Sequence, residues 1–291
     1  MKKIVILGCE NSHANMFLDF MQSPEYRDAE TVGVYSRDAD AANKLSQKYG
    51  VPVLPTFDAA VGKADGVIVT ARHGDSHYEF AAPYIASGVP MFIDKPITVD
   101  EREAVRFMRE CKAAGVRLTG GSCCKYQEWV QTLHNECAEN VDGNTLGGYV
   151  RCPVSLTNPN GGFFFYAQHL VETVLYIFGM RPYSVQAFSQ DKALTVVFRY
   201  AGYDVVGLFA EENYSCYYAM RVSEHHARGA EFPINGQSPC FRSEFDAYYK
   251  LLQGGEQQIS YEDLIAPVFV MNAIRRSMDS KRGESVWSEK I

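Results

Sequence analysis

A lysine set between an acid and a proline, Asp94-Lys95-Pro96, directly follows the apolar run Met91–Ile93. An ammonium at that point could hydrogen-bond a substrate hydroxyl and stabilise a developing alkoxide. Pro96 biases Lys95 toward an extended backbone and so fixes where its side chain starts. A surface lysine in a turn is the competing reading. Farther along, His169 stands at the head of an apolar helix with Glu172 one turn later. An imidazole there can carry protons near neutral pH, and the carboxylate could orient it or raise its pKa. The alternative is a helix-start histidine beside a solvated glutamate. The aromatic run Phe163–Tyr166 ahead of it either walls a pocket, with Tyr166 facing substrate, or belongs to a core.

A second set of residues could hold a dinucleotide. The apolar run Ile4–Leu7 ends at Gly8, where a pyrophosphate would meet a helix N-terminus. The fingerprint there should be G-x-G-x-x-G, and this chain has Gly8-Cys9-Glu10-Asn11-Ser12-His13, with only the first glycine. Gly8, Asn11, Ser12 and His13 are the candidate cradle; simple N-capping is the other reading of the polar residues. Glu10 raises an objection. About 4 Å from a phosphate charge it would cost roughly 1 kcal/mol in water and about 4 at an effective dielectric of 20. A helix N-terminus returns only about 0.3–2 kcal/mol. Either Glu10 points away, or the diphosphate is displaced, or no dinucleotide binds. The second strand ends Ser36-Arg37, where NAD sites usually carry an acid and an Arg suits a 2′-phosphate, which favours NADP(H) over NAD(H). Thr70, His73 and Asp94, each just after a strand, complete the expected cofactor contacts.

Other clusters invite chemistry less. His73-Gly74-Asp75-Ser76-His77 would offer metal ligands if helical, but Gly74 and a cap at Asp75 or Ser76 leave His73 in the loop, and no metal site is expected. The eight cysteines show no C-x-x-C spacing, and the adjacent Cys123-Cys124 do not suit a common zinc knuckle; reduced, buried thiols are expected. His225-His226 fall in a polar loop, Ser223 to Gly229.

The elements that must position these residues alternate over the first 120 positions. Strands are expected at Ile4–Leu7, Thr31–Tyr35, Val67–Val69, Met91–Ile93 and Val116–Thr119. Between them lie helices, one opened by a capping box at Thr98-x-x-Glu101 and closed by Gly115. Buried strands alternating with helices predict a parallel sheet covered on both faces, with ligands at the carboxyl ends of its strands. After that the pattern becomes strands and helices in blocks, an α+β arrangement with a hairpin at Ala201-Gly202. The predicted fold is α/β: a Rossmann-type parallel sheet over 1–121 and an α+β domain with a largely antiparallel open sheet over 122–291. The strand Tyr203–Ala210 is apolar on both faces, which favours a homo-oligomer, dimer or tetramer; burial by the domain's own loops is the alternative.

Composition sets the outer limits. A chain of 291 residues that is 46% hydrophobic can build two cores and is not disordered. With 28 basic and 35 acidic side chains the net charge is −7, which gives no electrostatic case for nucleic acid. The longest uncharged stretch, Cys152–Val171, holds two Pro, two Asn, Gln and His, so it reads as a loop entering a helix and not as a membrane span. The N-terminal apolar run is too short for a signal peptide, and a cytoplasmic protein is expected.

Three segments in order carry a resemblance: Ala64-Asp65-Gly66-Val67-Ile68-Val69-Thr70, Ser76-His77-Tyr78-Glu79-Phe80-Ala81, and Ala86 through Asp94-Lys95-Pro96-Ile97. They resemble the glucose–fructose oxidoreductase / inositol 2-dehydrogenase (Gfo/Idh/MocA) family, whose strand-end signature is Glu-Lys-Pro. The resemblance implies a Rossmann domain, an α+β domain whose open sheet mediates oligomerisation, and NAD(P)-dependent hydride transfer at a sugar or cyclitol carbon. It places Lys95 and His169 on the family's catalytic positions, Glu172 on its last Asp, and Lys125-Tyr126 near a basic–aromatic pair that faces substrate. Phe165 stands where the family has its first Asp, and Ala167 where it has Gly. A non-catalytic dinucleotide- or sugar-binding sensor of the same fold is the second function class, and metal-dependent hydrolysis through His73, Asp75 and His77 a third.

Overall fold

The computed structural model describes residues 1–287, which divide into two compact units. The first comprises residues 1–121 and 241–265. Its five strands are β1 (Lys2–Leu7), β2 (Ala29–Tyr35), β3 (Gly66–Val69), β4 (Met91–Asp94) and β5 (Leu118–Gly121). They pair in the order β2-β1-β3-β4-β5, all parallel. Ile4–Leu7, Val67–Val69 and Met91–Ile93 are essentially without solvent exposure, as continuous apolar runs in a doubly covered sheet require. Helices α1 (Ser12–Phe20), α2 (Ala39–Tyr49), α3 (Asp75–Ile85) and α4 (Glu101–Ala114) alternate with the strands.

Two local readings change. The cap of α4 is Asp100, whose carboxylate accepts from Glu103 N at 2.8 Å, and Thr98 instead gives its hydroxyl to the Asp100 carbonyl. Asp100-x-x-Glu103 fits the same signature as Thr98-x-x-Glu101, and an acid two residues closer to the helix wins. The helix Cys240–Leu252 contributes Phe245, Tyr248 and Leu252 to the core that contains Phe17 and Phe92, so residues 241–265 accompany 1–121 and not the rest of the 122–291 stretch. Phe245 lies 5.1 Å from Phe17 and 5.0 Å from Tyr26, ring centre to ring centre.

The second unit comprises residues 122–240 and 266 onward. It contains α5 (Glu128–Ala138), β6 (Thr145–Val154), α6 (Phe164–Phe178), β7 (Ser184–Ser189), β8 (Ala193–Arg199), β9 (Asp204–Glu211), β10 (Tyr218–Ser223) and β11 (Ala227–Glu231). The helix Cys240–Leu252 is α7, and α8 (Tyr261–Ser280) and β12 (Glu284–Ser285) follow. The sheet runs β11-β10-β6-β9-β8-β7-β12, antiparallel except for β6 against β9. The hairpin at Ala201-Gly202 is present, with Arg199 opposite Asp204. Ala227-Arg228-Gly229, expected in a loop, belong instead to the edge strand β11. Its residues are mostly exposed and carry no apolar alternation for a sequence reading to detect. α6 covers one sheet face with Ala167, Leu170, Val171 and Val174, all fully buried. On β9, Val205 and Phe209 are buried, while Val206, Leu208 and Ala210 stay partly exposed. No helix among the described residues is long and apolar enough to cross a membrane.

Candidate functional site

At the carboxyl end of β4 in the first unit, the fully buried Asp94 carboxylate collects three donors. Oδ2 lies 2.6 Å from His13 Nδ1 and accepts from Asn11 Nδ2 at 2.9 Å; Oδ1 accepts from the backbone N–H of Lys95 at 2.7 Å. Burial opposes the charge on both partners of the first contact, and their mutual attraction outweighs it. Asp94 is held down at about 2, and His13 is raised above its ordinary value. The His13 ring also stacks on Phe17 at 5.8 Å. Asp94 thus ties the first turn of α1 to the strand end that bears Lys95, itself only 6% exposed. The Lys95–Pro96 peptide is cis. The Pro96 carbonyl lies 2.7 Å from His77 Nδ1, and the Ala71 carbonyl lies 2.8 Å from His77 Nε2. Burial lowers the His77 pKa. Both ring nitrogens lie against carbonyl oxygens, of Pro96 and Ala71, rather than against His73 or Asp75. His73, in the loop as expected, pairs with Asp75 at 2.7 Å.

The end of β1 is built for close approach. Gly8 has φ +72°, and a side-chain carbon there would stand 2.4 Å from the Ala71 backbone. Thr70 Oγ1 donates to the Gly8 carbonyl at 3.1 Å. Asn11 precedes α1, but its side chain goes to Asp94 and makes no cap hydrogen bond. Asn11 therefore does not cap α1, and the first-turn N–H groups would be available to an anion. Ser12 Oγ donates to Asn11 Oδ1 at 3.2 Å. Glu10 is turned toward the neighbouring strand ends: Oε2 accepts from Ser36 Oγ at 2.6 Å, and Oε1 from Arg72 N at 3.1 Å. Arg37 meets Glu79 at 2.5 Å, donates to Ser76 Oγ at 3.2 Å and lies over the Phe80 ring at 5.2 Å. With Glu10 drawn to Ser36 and Arg72, the strand ends are compatible with a dinucleotide. Gly8, Asn11 and Ser12 would hold its diphosphate, Ser36 and Arg37 its ribose end, and Thr70 and His73 its nicotinamide end.

In the second unit, His169 is buried at the start of α6. Its Nδ1 lies 2.7 Å from Ser122 Oγ and 3.5 Å from Cys124 Sγ. Cys124 N donates to the same Ser122 Oγ at 3.2 Å. With the ring proton on Nδ1, Nε2 keeps the basic lone pair. Tyr166 and Tyr217 stand beside the ring at 5.4 and 6.3 Å. Burial opposes a Cys124 thiolate, but contacts with Cys123 and His169 bring its pKa well below the usual thiol value. The hydrogen-bond partners of Glu172 are other than His169. The Glu172 carboxylate accepts from Lys125 Nζ at 2.6 Å, Ser122 N at 2.7 Å and Gln168 Nε2 at 2.7 Å. Three donors are what a buried carboxylate needs. Lys125, expected to face substrate with a helix surface as the equal alternative, is 2% exposed, paired with Glu172, and 5.1 Å above the Tyr126 ring.

The expected residues therefore gather into three groups. Asn11, His13, Asp94 and Lys95 meet around one carboxylate. Gly8, Ser36, Arg37 and Thr70 line the ends of β1 to β3. Lys125, Glu172 and His169 meet around Ser122, with Tyr166 beside the His169 ring. Two readings change: the partner of His169 is Ser122 and not Glu172, and Lys125 is buried rather than on a helix surface. Ser122 escaped the sequence reading, although its place directly after Gly120-Gly121 at the end of β5 is the kind of position that bears function.

Residues 2–122 match the family described as "Oxidoreductase family, NAD-binding Rossmann fold" (Gfo/Idh/MocA). Inositol 2-dehydrogenase 3 of Saccharopolyspora erythraea is 30% identical over 122 residues, 41% of this chain and 35% of that protein. A UDP-kanosamine synthase oxidoreductase subunit of Amycolatopsis mediterranei is 24% identical over 109 residues, 38% of this chain and 30% of that protein. The chain thus spans about a third of the length of these curated relatives. The apo scyllo-inositol dehydrogenase of Lactobacillus casei shares the fold, with a TM-score of 0.85 at 13% identity over 99% of both chains. GenD2 from gentamicin A biosynthesis, solved with NAD, gives a TM-score of 0.83 at 15% identity over 98% of this chain and 96% of its own. Residues 2–122 are thus similar to the NAD-binding Rossmann part of the Gfo/Idh/MocA oxidoreductases.

Proposed function

We propose that the protein is an NADP(H)-preferring oxidoreductase that transfers a hydride at a hydroxyl or carbonyl carbon of a sugar- or cyclitol-like substrate. The observation that carries this is Lys95 at the end of a Rossmann strand, its backbone fixed by an Asp94 carboxylate that His13 and Asn11 hold in place. The names of the relatives, inositol dehydrogenases among them, support the substrate class.

A bound nicotinamide supplies the hydride acceptor or donor. Lys95 binds the substrate oxygen and stabilises its developing negative charge. His169 moves the hydroxyl proton at Nε2, with Ser122 Oγ holding the ring in place at Nδ1. The buried Lys125–Glu172 pair holds the Ser122 backbone and with it the imidazole's partner. Arg37 takes the 2′-phosphate. Its pair with Glu79 is about half exposed on each side and so is worth only about 0–1 kcal/mol, little to exchange for a phosphate dianion.

We also propose a homo-oligomer assembled through the outer face of the second sheet, where Val206, Leu208 and Ala210 leave apolar surface for a second copy to cover. The function is tested by titrating the protein with NADPH and NADH, following nicotinamide fluorescence, and then assaying cofactor turnover with a panel of cyclitols and keto-sugars. Saturable, tighter NADPH binding and turnover are expected. Binding without turnover would return the chain to the sensor class, and absence of binding would end the proposal. Light scattering on the same sample reads the oligomeric state.

A further inference from the structure

Cys123 and Cys124 sit side by side on a tight turn, Cys123–Tyr126, and both are buried. Consecutive side chains of such a turn point about a third of a revolution apart. Even so, the two sulfurs and a His169 ring nitrogen all lie within 4.8 Å of one another, the one such group of three among the described residues. Cys124 Sγ is 3.5 Å from Nδ1. Tetrahedral zinc, with Zn–S of about 2.3 Å and Zn–N of about 2.0 Å, puts neighbouring ligand atoms roughly 3.5–3.8 Å apart. One edge of that tetrahedron is thus already present, and the other two span no more than 4.8 Å.

We propose that Cys123 Sγ, Cys124 Sγ and His169 Nδ1 form a Cys2His site for a divalent zinc ion, with the fourth position left to water or a substrate oxygen. Charge supports the choice. Two thiolates neutralise a dication, so the loaded site buries no net charge. Two sulfurs and an imidazole suit zinc and exclude magnesium or calcium, which require oxygen ligands. The metal replaces the Nδ1–Ser122 hydrogen bond. It also leaves the ring proton on Nε2, so the metal-loaded protein does not use His169 as the proton acceptor of the hydride-transfer reading. The inference goes beyond the hydride-transfer reading and stands without it.

The test is a cobalt titration of the reduced protein. One equivalent should bind with thiolate-to-cobalt charge-transfer absorption and the visible bands of a tetrahedral ion, and zinc should displace it. C123S and C124S should each weaken binding at least tenfold, whereas C111S, at a buried thiol of the first unit, should change nothing. X-ray absorption at the zinc edge of the unmodified protein supplies a reading that no variant's folding can blur, with two sulfur neighbours expected. No charge-transfer band, a band that survives in C123S/C124S, or a zinc shell without sulfur would overturn the site. NADPH fluorescence on the same metal-free sample is a separate measurement, so failure here and failure of the oxidoreductase reading are told apart.

Discussion

His13 Nδ1 stands 2.6 Å from Asp94 Oδ2, in a contact where both side chains are almost fully removed from water. One residue belongs to the first turn of α1 and the other ends β4, 81 positions later. The pair joins the expected phosphate cradle to the strand end that carries Lys95.

That contact makes stability depend on pH in both directions. Asp94, at about 2, lies below its unfolded value of about 3.9. Its contribution is therefore present above about pH 4 and is lost as pH falls through about 2, because there the unfolded chain binds more protons. His13 is raised. Its contribution is complete below about pH 6.5, the unfolded value, and is lost as pH rises through the folded one. Urea midpoints measured across pH for the wild type and Asp94→Asn should show both limbs in the first and neither in the second.

Removing His13 outright should be costly. His13→Ala leaves a buried carboxylate without its nearest cation, a change that typically costs about 3–5 kcal/mol. Thermal unfolding at pH 7 should show a large drop in midpoint. A shift of a degree or less would mean that the carboxylate is not charged there.

The Lys125–Glu172 pair follows the same logic with a twist. Glu172→Gln keeps the shape but strands a buried ammonium, and should destabilise by about 3–5 kcal/mol. Replacing both partners by apolar residues, Lys125→Met with Glu172→Leu, should recover part of that loss. Denaturant unfolding of the three variants checks both statements.

Arg37→Ala should weaken NADPH binding roughly 10- to 100-fold, the worth of a charge-assisted contact of about 1.5–3 kcal/mol. NADH binding should barely change. Equal losses for both cofactors, read by fluorescence titration, would remove Arg37 from the 2′-phosphate site.

Ser122→Ala deletes the partner that holds the His169 ring in place at Nδ1. Turnover should fall roughly 5- to 100-fold with KM nearly constant, and the pH profile of kcat/KM should shift. A purely structural serine would lower thermal stability and leave the pH profile in place.

Much of the first unit can be read from local pattern because its strands are buried on both faces. Ile4–Leu7 and Met91–Ile93 are uninterrupted apolar runs, and Asp94-Lys95-Pro96 marks the strand end by itself. What stayed hidden depends on distance or on exposure. Ser122 meets His169 across 47 residues, and Phe245 finds Phe17 from the far end of the chain. Neither pairing leaves a local trace. β11 is an exposed edge strand with no hydrophobic alternation. Lys125 reads as a surface residue until Glu172 is seen to neutralise it.

The central claim is that Lys95 carries the reaction. Lys95→Met preserves the length and apolar stem of the side chain and removes only the charge. In steady-state turnover with a substrate found in the panel, kcat/KM should fall at least about 100-fold while NADPH binding stays within about twofold of wild type. Turnover at the wild-type rate in that variant would contradict the account.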